Sequence, residues 1–193
     1  MQLSIKSAVN SFNYSAEQAL NILTSLENEL GNITVNNQPI KQLKEIIINN
    51  KLAFDNLENS QKLGVLHNNL YFSNIFYLPA ISGVKLISPL GNGDNLFGDV
   101  RLDYAMLKLN YALKIEQIEK ELFRFSNTSE NNFNLIWLCD QLPTDEFDKI
   151  IGEYQNIYNV NLLTVLLAIN KLPALNSNQQ VALIYSILEN ISI

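Results

Sequence analysis

Leu66-His-Asn-Asn-Leu-Tyr-Phe-Ser-Asn-Ile75 holds the only histidine of the chain, set between two short apolar runs. Before it lies Gly64-Val-Leu66, and after it Ile75-Phe-Tyr-Leu78 and Val84-Lys-Leu-Ile87. Pro79 and Ser82-Gly83 separate the last two runs, so they read as a β-hairpin. Lys85-Leu-Ile-Ser-Pro-Leu-Gly91 then leads into a loop over 88–97, which contains Pro89, Gly91 and Gly93. Gly98-Asp-Val-Arg-Leu-Asp-Tyr-Ala105 opens a helix whose apolar positions recur at Leu102, Ala105, Met106, Leu109, Leu113 and Ile115.

Outward from this centre the pattern is helical. Ser15-Ala-Glu-Gln18 has the form of a capping box, followed by a stripe of Leu20, Ile22, Leu23, Leu26 and Leu30 that stops at Gly31. Ile33-Thr-Val35 is a short extended piece before the Asn36-Asn-Gln-Pro39 turn. A second helix is expected over 40–57, with Leu43, Ile46, Ile47, Leu52 and Leu57 inward. Beyond the centre, Thr144 with Asp145 and Glu146 marks a helix start, carboxylates at the positive end of the dipole. Leu162 to Leu172 is apolar nearly all round and reads as a buried helix ended by Pro173. Ser177-Asn-Gln-Gln180 reads as a second capping box, opening a helix through Leu188. The expectation is one mainly α domain with a small β-hairpin, an α+β fold: a helical preamble over 1–63, a central segment over 64–104 and a helical subdomain over 105–193.

Composition limits the function classes. The chain has 193 residues, 47% hydrophobic and 17% charged, with a net charge of −6. High apolar content and low net charge exclude a disordered chain. Cys139 stands alone, which excludes a disulfide scaffold and, with one His, argues against a zinc site. A pI near 4.8 disfavours nucleic acid as a partner. The run Val165 to Ile169, preceded by Thr164, falls far short of the ~18 apolar residues of a membrane span. The first residues do not have the layout of a signal peptide, so a cytoplasmic location and no membrane contact are expected. The 28 Asn residues make the sequons at Asn13, Asn32, Asn127 and Asn190 a chance expectation.

The order and spacing of the three central segments resemble the catalytic region of the aminoglycoside-phosphotransferase and choline-kinase family, a branch of the protein-kinase-like fold. Closest in pattern are bacterial sugar-phosphotransferase-like proteins linked to capsule biosynthesis. Those carry a His-Gly-Asp-Leu-x-x-Ser-Asn-Ile loop, a Lys-Leu-Ile-Asp-Pro-Arg-Gly segment and a Gly-Asp-x-Arg-Tyr-Asp-Leu-Ala helix start. The likeness is dense from Leu66 to Leu109 and looser elsewhere, including Leu172-Pro173. It implies the C-terminal lobe of that fold. His67, Ser73, Gly98, Asp99, Arg101, Asp103, Ala105 and Lys108 fit the pattern. By resemblance, His67 and Asp99 brace the loop, Asp103 caps or anchors the helix, and Asn74 is the metal-binding Asn.

The chemical positions depart from the pattern. Asn69 stands where the family has its acceptor-orienting Asp, and a carboxamide cannot act as a general base. Ser88 stands where the family has its second metal-binding Asp, Asn68 replaces a Gly, and Leu90 replaces an Arg. The stretch before His67 reads as helices, without the glycine-rich strands and strand lysine that grip a nucleotide. The resemblance therefore implies a pseudokinase-like binding or regulatory module in surface-polysaccharide biosynthesis, without a cofactor. Its partner would be a sugar, another protein or a second copy, docked where the missing lobe would lie. The alternative is an active Mg-ATP-dependent phosphotransferase using atypical ligands, such as Asn74 with Asp94 or Asp99, or a lobe from another chain. Trp137, with Phe133, Ile136 and Leu138, reads as core, with a sugar-stacking platform as the alternative. Cys139 reads as a buried small residue and Asp145 to Asp148 as a solvated helix end. No Gly-x-Ser-x-Gly elbow supports a hydrolase.

Overall fold

A computed structural model of the chain describes residues 12, 14–90, 97–140 and 142–193. The first helix, α1 (Ala16–Leu30), starts where the Ser15 hydroxyl accepts from the amides of Glu17 and Gln18. A tight hairpin comes next, β1 (Thr34–Val35) and β2 (Gln38–Pro39). Asn36 and Asn37 both sit at positive φ, the geometry that lets a two-residue turn match the twist of its strands.

The helix expected over 40–57 is broken into α2 (Gln42–Asn49) and α3 (Lys51–Asp55). The break falls at Asn50, whose side-chain amide donates to the Ile46 carbonyl at 3.0 Å. Leu43, Ile47 and Leu57 are buried as expected. Leu52 is not: it is 74% exposed, and Phe54, seven residues past Ile47 and so on the same face, fills the core instead.

The centre holds two small antiparallel pairs. β3 (Leu63–Val65) pairs with β6 (Phe97–Asp99), and β4 (Ile75–Leu78) pairs with β5 (Gly83–Leu86) in the expected hairpin. Gly64 faces Gly98 in register, and a Cβ on Gly64 would meet Val100 Cγ1 at 2.6 Å. Helix α4 (Arg101–Tyr111) comes next, then α5 (Ile115–Glu119), with Lys114 in the left-handed region between them.

The segment read as helical from 105 onward contains a second hairpin, β7 (Phe123–Ser129) and β8 (Asn132–Trp137). Its inward side carries Phe123, Phe125, Leu135 and Trp137, packed on or within the core. Ile136 and Leu138 point out and are exposed, which corrects their assignment to the core. β1 joins β8 in parallel, giving one sheet of order β2-β1-β8-β7. The chain is thus a mixed α+β protein.

The remaining helices are α6 (Thr144–Tyr154), α7 (Ile157–Lys171) and α8 (Ser177–Asn190). α7 is buried over most of its length and packs against α1, α4 and α8. The span Ile157–Ala174 is long and apolar enough, by length and composition, to cross a membrane, and 56% of it is buried inside the fold. α8 is capped one residue earlier than expected: Asn176 accepts from the Gln179 amide and Gln179 reaches back to the Asn176 amide. Gln180 is buried instead, donating to the Leu172 carbonyl.

Two buried polar knots fasten this frame. Asp99 and Arg101, each 1% exposed, pair at 2.6 Å between Asp99 Oδ2 and Arg101 Nη2. Arg101 also donates to Ser60 Oγ and the Leu57 carbonyl, both at 2.8 Å. Tyr14 donates its hydroxyl to Asp99 Oδ2, and burial, then the Asp99 charge, push its pKa well above the usual phenol range. The second knot lies between α4 and α6. Asp148 turns inward, rather than into solvent as a helix-end acid, and accepts from Lys108 Nζ at 2.5 and 2.6 Å and from the Tyr111 hydroxyl at 2.5 Å. Lys108 is fully buried; desolvation lowers its pKa although Asp148 opposes the shift.

Breaking the first knot from one side strands a buried charge. Arg101→Met should cost about 3–5 kcal/mol in urea unfolding, with little rescue by Arg101→Lys, which cannot reach Asp99, Ser60 and Leu57 together. For the second, Asp148→Asn leaves the Lys108 ammonium without its counter-charge and should be more destabilising than Lys108→Met. A lysine whose folded pKa is depressed carries its penalty below that pKa and loses it as pH rises. The Asp148→Asn deficit should therefore shrink when unfolding is measured from pH 7 towards pH 10.

Candidate functional site

The loop after β3 is positioned by its surroundings. Leu66 and Leu70 are buried anchors at its two ends. Between them the backbone needs an acceptor, and Asp103, near the start of α4, supplies two. Its Oδ2 accepts from the His67 amide at 2.7 Å and its Oδ1 from the Asn68 amide at 2.8 Å. Asn68 takes φ of 60°, a left-handed conformation that Asn tolerates better than most residues. Asp103 is thus the brace of the loop. Asp99, expected in that role, is committed to Arg101, Tyr14 and the Lys62 amide.

The next turn brings three of the sequence-predicted residues together. The Asn69 side-chain amide donates to the Ser88 carbonyl at 2.8 Å. The Asn74 side-chain amide donates to the Asn69 carbonyl at 2.9 Å. The Ile87 amide donates to the Asn74 carbonyl, and the Leu90 amide to the His67 carbonyl, both at 3.0 Å. Ser88 itself lies at φ of 54°. The β4–β5 hairpin achieves this: it leaves the loop at Ile75 and returns the chain beside it at Leu86, opposite Ile75 in register.

Ser73 is held from another direction, its amide and hydroxyl both donating to Glu116 Oε1, at 3.0 and 2.7 Å. This contact was not legible from the sequence, because Glu116 lies on α5, 43 residues away. His67 has a different place from a hydrogen-bonded brace: both ring nitrogens are buried and without a partner among the described residues. Asp94 lies outside the described residues.

The chemistry of this cluster is that of neutral groups. Asn69, Asn74 and Ser88 supply amides and a hydroxyl, and the carboxylates of Asp103 and Glu116 already accept from the loop. Among the described residues no group of three or more His, Cys, Asp or Glu is placed to hold a metal ion. Trp137, the alternative sugar platform, has its ring face under Lys114 Nζ, 4.4 Å from the centroid. Burial lowers the Lys114 pKa. Cys139 is half-buried. No protein-family model, curated protein or solved structure matches the chain.

Asp103→Ala removes the acceptor for two adjacent amides. Hydrogen exchange at His67 and Asn68 should accelerate by more than at the α7 amides, which report global opening. Equal acceleration at both places would show that Asp103 stabilises the whole fold rather than the loop.

Proposed function

We propose that the chain is a non-catalytic binding or regulatory module, built as the C-terminal lobe of a protein-kinase-like fold of the aminoglycoside-phosphotransferase and choline-kinase kind. We place it in the cytoplasm, in bacterial surface-polysaccharide biosynthesis. The reading is supported by the loop after β3, the hairpin that returns to it, and the acid on α4 that braces it. Asn68 keeps the left-handed turn that a Gly would occupy in the related loops.

One observation carries the non-catalytic half of the proposal. Asn69 uses its N–H to donate to the Ser88 carbonyl at 2.8 Å. A carboxylate there would set two acceptors against each other. The loop is therefore packed around a donor where phosphoryl transfer asks for a base. Ser88 adds a neutral hydroxyl where a divalent cation favours an anionic oxygen.

The test is thermal unfolding with and without millimolar Mg-ATP. Nucleotide at 100 times its dissociation constant would add about 2.7 kcal/mol, so an unmoved transition is the expected result. A saturable shift with phosphate transfer to a sugar acceptor would replace this reading with that of an active enzyme. Asn69→Asp should by itself destabilise the protein by about 0.5–1.5 kcal/mol, the net worth of the exposed hydrogen bond to the Ser88 carbonyl. The double variant with Ser88→Asp is the form in which magnesium binding should first become measurable, by calorimetry.

A further inference from the structure

Thr144, Asp145 and Asp148 of α6, Asn161 of α7, and Glu189 and Ser192 around the end of α8 line one cavity of about 440 Å³. Small-molecule sites run from about 300 to 1,000 Å³. None of these residues belongs to the loop after β3, so the cavity is a separate place on the molecule.

Its lining offers acceptors from three helices. Asp145 makes no side-chain hydrogen bond or ion pair among the described residues. Glu189 accepts from the Tyr185 hydroxyl at Oε1, 2.7 Å away, which leaves Oε2 without a donor. Asn161 is only 8% exposed. Its Nδ2 donates to the Ser192 carbonyl at 2.9 Å, and its Oδ1 has no partner among the described residues. A buried amide oxygen left unmet costs stability, so this one asks for a donor from outside the chain. Asp148 differs, since Lys108 and Tyr111 already take its oxygens.

Charge points the same way. Asp145 sits at the start of α6, where the helix dipole favours an acid. Glu189 sits at the opposite kind of end. It is the next-to-last residue of α8, where the dipole favours a cation, and the last turn of α8 carries no basic residue. Among the described residues no basic side chain lines the cavity. Lys108 is committed to Asp148, and Lys114, which feels the Glu189 charge, holds its ammonium over the Trp137 ring.

We infer that this cavity binds an aliphatic polyamine, whose ammonium groups donate to Asp145 and Glu189 and one of whose N–H groups meets Asn161 Oδ1. A metal ion needs its oxygens gathered at about 2.0–2.6 Å, and among the described residues no three acids are so gathered. An anion would be repelled by the carboxylates, and a neutral polyol would leave the acid at the end of α8 uncompensated. A chain of ammonium groups on a methylene stem meets acids on two helices at once, and Ile157 in the lining suits the stem.

The experiment is titration calorimetry of the full chain with spermidine at fixed ionic strength. Binding should saturate at one ligand per chain. Glu189→Gln and Asp145→Asn, both at exposed positions, should each weaken it by about two- to fivefold, the range of an exposed ion pair. The thermal transition of either variant should stay within a few degrees of the native one. Glu153→Gln, an exposed acid of α6 outside the cavity, should leave the affinity unchanged. No saturable heat at millimolar spermidine overturns the inference. Equal weakening by Glu189→Gln and Glu153→Gln overturns it too, because it reports diffuse attraction to a chain of net charge −6. Displacement of spermidine by an equal concentration of magnesium would give the cavity to a metal ion instead.

Discussion

A guanidinium cannot be taken out of water unless its five N–H groups and its charge are met, and Arg101 is almost wholly out of water. Its partners come from separate parts of the chain. Asp99, at the end of β6, supplies the charge, and Ser60 and Leu57, beyond α3, supply two oxygens. Asp99 in turn holds Tyr14 ahead of α1 and the Lys62 amide ahead of β3. The start of α1, the end of the second helical segment, the β3–β6 pair and the start of α4 are thereby fixed to one another. The loop inherits its position from that knot. Asp103 lies two residues past Arg101, so whatever sets the start of α4 also sets where the loop backbone is caught.

Apolar packing supplies most of the driving force, and the polar knots supply its register. α7 offers nearly the same apolar face to α1, α4 and α8, so its sides are poorly distinguished by packing alone. The Lys108–Asp148–Tyr111 cluster tells α6 which face of α4 to meet. Asn36 does similar work for the four-stranded sheet, bonding the Leu135 amide on β8 and the Tyr185 hydroxyl on α8.

The features legible in the sequence are local ones. The Ser15 cap, the buried run of α7 and the Pro-Ser-Gly turn between β4 and β5 depend on neighbours a few residues apart, and the structure has them. The β7–β8 hairpin is hidden in the sequence because the run of Ser, Asn, Thr and Glu between its aromatic ends, from Ser126 to Asn132, suggests a loop rather than paired strands. Asn50 and Asn176 are equally opaque. In a chain with 28 Asn, composition does not tell which one breaks a helix and which one caps it. At the site, the spacing of the three segments is visible, but the identity of the brace is not. Asp99 and Asp103 are both helix-start acids by sequence, and only the three-dimensional path shows that one faces a buried arginine and the other the loop. Asp148 is likewise indistinguishable from Asp145 until α6 is placed against α4.

The burial of α7 also has a consequence for the time before the fold exists. A helix whose middle, from Val160 to Ile169, is apolar except for Asn161 and Thr164 leaves the ribosome before α8, which begins six residues after α7 ends. During that interval α7 can be covered by α1 and α4 but not by α8, and its unshielded side resembles a segment bound for a lipid bilayer. In that interval the chain holds an apolar face against water, the condition under which partly folded chains associate with one another. How long it lasts depends on how soon α8 closes over the gap.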